Sequence, residues 1–380
     1  MDSVLYLDHA ATAFPRSPDV TTAMVKALQV ATSPGRSGHQ LSLEAARIVY
    51  ATRNAAAHTF GVADARRVIF TSGCTEALNL VLHSLPEDRP HVVTTALEHN
   101  SVARPLRWLA DHRQFSYSTV AADDAGFIDP DKLAAACLPS TALVVVNHGS
   151  NVCGSIQDLT AIRKAIGNRL LLVDAAQTAG HVPLSLQADG IDYVAFSGHK
   201  GLGGPPGIGG LCIGQQAPIP HPLRQGGTGS RSEYDRHPDF LPDALEAGTP
   251  NLPGIAGLGA ALKLLEAKGI AVRMEEELAV TKAFLEGVRN IRNIRLSGPT
   301  DSFRRLPVFS LVIAGQDPGR VARRLEQEYG LLVRSGLHCA PWAHRALKTI
   351  DTGSVRISFS AGSPPNAVSR TLAALEALCS

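Results

Sequence analysis

The sequence predicts an α/β protein in two parts: a large domain around a mostly parallel sheet, then a smaller α+β domain at the C-terminal end. Three observations predict it. Short β-rich runs alternate with helical patterns through the middle of the chain, which is the pattern of parallel strands joined by helical crossovers. Several of these runs are apolar throughout, as strands covered on both faces are. The chain has 380 residues, whereas single cores stop growing at roughly 250–300 residues.

The elements follow in order. Val68–Phe70 is a short apolar strand, and Thr75–Ser84 has a helical pattern. His91–Thr95 is a β-branched run, and Ala142–Asn147 is apolar up to its last residue. Leu159–Ile166 is helical, and Leu170–Asp174 is apolar until the terminal carboxylate. Tyr193–Phe196 and Gly210–Ile213 complete the expected strands of the large domain. After about Pro253 the pattern changes. A long helical stretch is expected over Ile255–Asn290, then strands Val308–Ile313, Leu331–Arg334 and Val355–Phe359, with helical patterns at Pro318–Tyr329 and Pro364–Leu378. We divide the chain into an N-terminal segment, 1–15, a large domain, 16–253, and a small domain, 254–380.

Composition excludes several functions. Hydrophobic residues make up 44% and charged residues 18%, an ordinary globular balance. The formal net charge is +2 and no basic block interrupts the chain, so no nucleic-acid or anionic-membrane partner is expected. No apolar run approaches the roughly 18 residues of a membrane span. The start, Met1 to Asp8, lacks a basic n-region and a long apolar stretch, so a cytoplasmic location is expected. Of the six cysteines, none forms a C-x-x-C pair and the spacing fits no zinc template. His338, Cys339 and His344 lack a fourth ligand, so no metal is expected.

Ligands of open α/β sheets bind beyond the carboxyl ends of strands. Four polar clusters fall there. Thr71-Ser72-Gly73-Cys74-Thr75-Glu76 opens a helix, and a helix start suits an anion, although the same residues also make an ordinary cap. Glu98-His99-Asn100 follows the second strand. Asp174 needs a partner if buried; it either caps the next segment or keeps a heterocyclic nitrogen protonated. Lys200 follows Ser197-Gly198-His199 and precedes the glycine-rich run Gly201–Gly210. Lone lysines are usually solvated, but glycines let backbone approach a ligand, and a desolvated lysine can form a Schiff base.

The order of these clusters resembles the class V aminotransferase group of fold-type I enzymes that use pyridoxal 5′-phosphate (PLP). Within it, the chain is most similar to cysteine desulfurases and selenocysteine lyases of group II. The resemblance runs nearly end to end. It adds Tyr6–Thr12, Asn147–Gly154, Glu246-Ala247-Gly248-Thr249-Pro250-Asn251 and Arg334-Ser335-Gly336-Leu337-His338-Cys339-Ala340-Pro341 to the four clusters. It implies a seven-stranded, mostly parallel sheet, with residues 1–15 packing near the active site. It implies Lys200 as the Schiff-base lysine, Asp174 as partner of the pyridine nitrogen, Gln177 as donor to the ring hydroxyl and His99 as the imidazole stacked on the ring. Cys74, mainly through its backbone, with Thr75, Ser197 and His199 matches the phosphate cradle. Thr249 matches a residue reaching the phosphate of a neighbouring subunit, which implies a homodimer. Asn151 and Arg356 match residues that hold the substrate carboxylate; without the resemblance, Arg356 reads as a surface charge on its strand.

The implied reaction converts L-cysteine to L-alanine and leaves the sulfur on Cys339 as a persulfide, for delivery to a sulfur-acceptor protein. L-selenocysteine is the second implied substrate. His338, Arg334 and Arg356 are the expected cations favouring a Cys339 thiolate. Gly203 and Leu337 depart from the common pattern, where an aromatic residue and a second histidine are frequent. Two other readings stay open: another class V aminotransferase, epimerase or lyase in which Cys339 accepts no sulfur, and a non-catalytic scaffold.

Overall fold

The computed structural model describes residues 4–30, 33–88 and 90–379, so residues 1–3 of the expected N-terminal segment lie outside it. Its strands are β1 (Leu5–Tyr6), β2 (Val68–Thr71), β3 (His91–Thr95), β4 (Ser116–Val120), β5 (Thr141–Asn147), β6 (Leu171–Asp174) and β7 (Tyr193–Ser197). They continue with β8 (Gly209–Ile213), β9 (Ile294–Ser297), β10 (Val308–Ile313), β11 (Leu331–Leu332), β12 (Arg334–Gly336) and β13 (Ser354–Ser358).

The large sheet has seven strands in the order β2-β8-β7-β6-β5-β3-β4. β8 runs antiparallel to β7 and β2, and the other neighbours are parallel. β5 shows why the inner strands are apolar throughout. Leu143 and Val145 pack in one cluster with Leu172, while Val144 and Val146 pack in another with Leu171 and Val173. Successive side chains point to opposite faces, and both faces are covered. β4 was invisible for the converse reason. It pairs only with β3 at the sheet edge, and of Ser116-Tyr117-Ser118-Thr119-Val120 only Val120 is buried.

The expected helical stretch over 255–290 holds two helices, Leu252–Lys268 and Ile270–Val288. They break at Gly269, whose φ of +82° an L side chain rarely adopts. The first of them buries Ile255, Leu258 and Leu262 in the same cluster as Phe196 of β7. Packing therefore places this helix with the large sheet, beyond the change of pattern at Pro253.

The second sheet, β12-β13-β10-β9, is antiparallel. Phe284, Phe309 and Phe359 form a triangle of rings in its core, with centroids 4.4 to 6.0 Å apart. The expected strand Leu331–Arg334 is two: β11 pairs with β1, and β12 with β13. The N-terminal segment thus begins on the small unit and then crosses to the large one. Ser358 N–H donates to the Leu7 carbonyl at 2.8 Å, and Ala13 N–H to the His199 carbonyl at 2.8 Å. No helix among the described residues is long and apolar enough to cross a membrane.

One close approach sets the geometry of the site. A Cβ on Gly209 would lie 2.5 Å from the Phe196 carbonyl oxygen and 2.7 Å from Gly73 Cα. Gly209→Ala is expected to cost about 1–3 kcal/mol through overpacking. A lower urea midpoint with an unchanged m-value would show it.

Candidate active site

The carboxyl ends of β2, β3, β5, β6 and β7 deliver the predicted residues to one place. Cys74, Thr75, His99, Asn151, Asp174, Gln177, Ser197, His199 and Lys200 line a single pocket, with Ser101 and Asn147. The helix Cys74–Leu82 starts there after Gly73 with no side-chain cap. Its open N–H groups and dipole favour an anion. Thr75 Oγ1 and Ser101 Oγ, 2.7 Å apart, stand beside that start.

His99 caps the helix Asn100–His112: Ser101 N–H donates to its Nδ1 at 3.1 Å. Nδ1 is therefore an acceptor, and the neutral ring carries its proton on Nε2. Burial, with the Lys200 charge next in weight, lowers the imidazole to about 4, so it is neutral at pH 7. Asp174 is buried, and its Oδ1 accepts from Ala176 N–H at 2.9 Å and from Cys74 Sγ at 3.3 Å. Sequence reading assigns Cys74 mainly its backbone; its side chain also holds Asp174. Burial and the Asp174 charge raise the Cys74 thiol, which keeps it a donor. Lys200 Nζ makes no hydrogen bond to the described residues. Burial lowers its ammonium pKa, and Asp174 opposes that shift.

Gln177 and His199 tie the pocket to the N-terminal segment. Gln177 Nε2 donates to the Ala10 carbonyl at 2.9 Å, and His199 Nδ1 lies 3.1 Å from Thr12 Oγ1. Sequence reasoning gave no role to Ser101, which lines the pocket, or to Glu98 beside His99. Glu98 is fully buried and accepts from Thr95 Oγ1 at 2.7 Å and Asn147 N–H at 2.9 Å. Burial, then the Asp174 charge, raise its carboxyl to about 8, so it is protonated at neutral pH. Its place between His99 and an apolar strand was the available signal.

Cys339 is exposed and lines an outer cleft that shares Thr75, His99 and Ser101 with the Lys200 pocket. His338 and Cys339 both have left-handed backbone, with φ of +50° and +57°. Two bonds from the large unit hold this costly turn: Asn151 Nδ2 donates to the His338 carbonyl at 2.8 Å, and Asn100 N–H to the Cys339 carbonyl at 2.9 Å. Arg334 is the cation beside the sulfur, 3.8 Å from Sγ.

His338 is not that cation. Its ring is buried, bonds Ser354 Oγ at 3.0 Å, and is pushed down to about 2 by burial, then by Arg356. Arg356 is likewise no surface charge: it is 1% exposed. Its guanidinium pairs with Asp8 and donates to the Asn151 carbonyl at 3.2 Å. Thr249 stands apart, exposed beside a different surface pocket with Glu76, Arg224 and Glu246.

The buried imidazoles predict acid sensitivity. His148 and His344 are held at about 4, and His338 at about 2, with burial the largest cause in each. Below the unfolded value of about 6.5 the unfolded chain takes up protons that the folded chain refuses, so stability falls with pH. Each of these histidines contributes a slope of about 1.4 kcal/mol per pH unit between about pH 6.5 and 4. Denaturant midpoints at pH 7 and pH 5 measure it; equal midpoints would contradict the burial of neutral imidazoles.

The family model described as Aminotransferase class-V matches residues 5–370. The chain belongs to the class V aminotransferase family. This class V aminotransferase chain is 34% identical over 367 residues to a probable cysteine desulfurase of Methanothermobacter thermautotrophicus, covering 93% of this chain and 90% of that one. It is 32% identical over 383 residues to a probable cysteine desulfurase of Pyrococcus abyssi, covering 99% and 94%. Its fold matches the apo structure of a cysteine desulfurase from Thermococcus onnurineus with a TM-score of 0.90 and 30% identity, covering 99% of this chain and 94% of that one.

Proposed function

We propose that this class V enzyme is a cysteine desulfurase that holds PLP on Lys200 and passes substrate sulfur to Cys339. The observation that carries the reading is the placement of Cys339: an exposed, backbone-clamped thiol beside Arg334, in a cleft that shares Thr75, His99 and Ser101 with the Lys200 pocket.

The donor set fits PLP. An uncapped helix start, a buried carboxylate and an amine without a hydrogen bond to the described residues converge on one pocket. The helix start with Thr75, Ser197 and His199 would hold the phosphate. Asp174, with Oδ1 fixed by Ala176 and Cys74, would hold the proton on the ring nitrogen. Neutral His99 would stack on the ring, and the second N–H of Gln177 would reach the ring hydroxyl. When bound, PLP supplies an electron sink for the pair left at the substrate Cα.

The chain's own residues do the rest. Arg356, buried and partly neutralised by Asp8, with Asn151 beside it, would orient the substrate carboxylate. Burial favours the neutral amine of Lys200, which takes the Cα proton. The Cys339 thiolate attacks the substrate sulfur. The C–S bond breaks and an S–S bond forms; the sulfur is oxidised, the carbon takes the electron pair and a proton, and L-alanine leaves. Selenium leaves more easily than sulfur, so L-selenocysteine would be cleaved as well.

Thr249, exposed and outside the lining of the Lys200 pocket, would serve the phosphate of a second copy, making the enzyme a homodimer. The large part, extended to Gly269 by its last helix, would bind PLP, and the small part would bring Cys339 and Arg356. A cytoplasmic sulfur-acceptor protein would discharge the exposed Cys339. Sulfide and L-alanine release from L-cysteine tests the reading. Amino transfer to a 2-oxo acid, with no sulfide, would favour another class V activity instead.

A further inference from the structure

The turn after Lys200 is gripped from the small unit by residues that no step above uses. Gly201 follows Lys200, and its carbonyl accepts from the Arg273 guanidinium on the helix Ile270–Val288. Arg273 Nε in turn donates to Glu277 Oε1 at 3.0 Å, one helical turn away. Glu277 is 4% exposed and also bonds His181 Nδ1 at 2.8 Å and Ala361 N–H at 3.4 Å.

The large unit closes the turn from the other side. A Cβ on Gly201 would lie 2.3 Å from both the Ala179 carbonyl and His181 Cδ2. A Cβ on Gly180 would lie 2.6 Å from the Gly201 carbonyl oxygen. The Gly201–Leu202 peptide, one residue past Lys200, is thus packed between the turn that follows Asp174 and a buried ion-paired network. Burial alone would raise the Glu277 carboxyl; His181 and Arg273 overcome it and hold the group at about 2, so its charge persists at neutral pH.

We propose that Arg273, fixed by Glu277 and His181, is a positioning residue that holds the Lys200 turn in register with Asp174 and couples it to the small unit. A guanidinium suits this because its fork serves the carboxylate and the carbonyl together, whereas an ammonium concentrates its donors at one point. The inference rests on Lys200 carrying PLP.

The test compares wild type, Arg273→Met and Arg273→Lys. The readouts are the visible PLP band, the rate of PLP release into buffer, amide exchange of residues 198–204 in apo-protein, and kcat and KM for L-cysteine. Arg273→Met should raise the release rate and lower kcat, each roughly 10- to 100-fold, because a misplaced lysine forfeits alignment. Exchange at 198–204 should quicken while KM stays within about twofold, since Arg273 does not touch the carboxylate site. Arg273→Lys should fall between, and it carries the test alone if the methionine variant fails to fold. Wild-type release, exchange and kcat in either folded variant would overturn the proposal. A wild-type protein that takes up no PLP would instead overturn the cofactor reading.

Discussion

Lys200→Ala is expected to yield a folded protein that forms no covalent link to PLP and makes no L-alanine from L-cysteine. In the proposed reaction the lysine has two tasks, and alanine removes both. It would anchor the cofactor, and its amine moves the Cα proton, a contribution worth roughly 10²–10⁴-fold on its own. Burial lowers the ammonium pKa against the pull of Asp174, which favours the neutral amine that proton transfer needs. Lys200→Arg keeps the positive charge but cannot give up its proton, so it should be as inactive as alanine. Absorbance of the purified proteins, borohydride fixation of the cofactor and alanine assay would check this. Substantial alanine production by Lys200→Ala would end the assignment.

Cys339→Ala should retain PLP and its absorption band but lose cysteine desulfuration to background. The thiol is exposed in the outer cleft and supports no packing, so its loss should leave the unfolding midpoint unchanged. Alanine tolerates the turn as poorly and as well as cysteine, since both carry a Cβ at φ of +57°. In the proposed reaction L-selenocysteine cleavage should survive in large part, because the carbon can keep the electron pair and gain a proton while selenium leaves as elemental selenium, with no attacking thiol. Arg334→Met should slow persulfide formation about tenfold, the worth of one charge-assisted hydrogen bond. Its sulfur contact is 3.8 Å, and no second cation replaces it, because His338 is neutral and Arg356 is paired with Asp8.

The sheet and the pocket were legible wherever burial on both faces left a continuous apolar run. Leu170–Asp174 is the clearest case: four apolar residues end in a carboxylate, and that carboxylate faces Lys200's pocket. β4 was not legible, because an edge strand half in water keeps Ser116, Ser118 and Thr119. Gly269 looks like any helical glycine until its positive φ is seen. The cysteine turn was legible as a motif but not as a geometry. His338 follows Leu337 and precedes Cys339, yet its ring turns inward to Ser354, so adjacency in sequence suggested a cation where there is none. Asn100 contributes a backbone N–H to the Cys339 carbonyl, a role that no side-chain signal announces. The Asp8–Arg356 pair joins residues from opposite ends of the chain, and only the crossing of the N-terminal segment brings them together.

In the proposed reaction substrate sulfur lands on Cys339. Holoenzyme given one round of L-cysteine, alkylated without reductant and digested, can be read by mass spectrometry. One additional sulfur atom is expected on the peptide holding Cys339, in step with the L-alanine released. L-alanine released with that peptide unchanged, or sulfur found only on another cysteine, would contradict it.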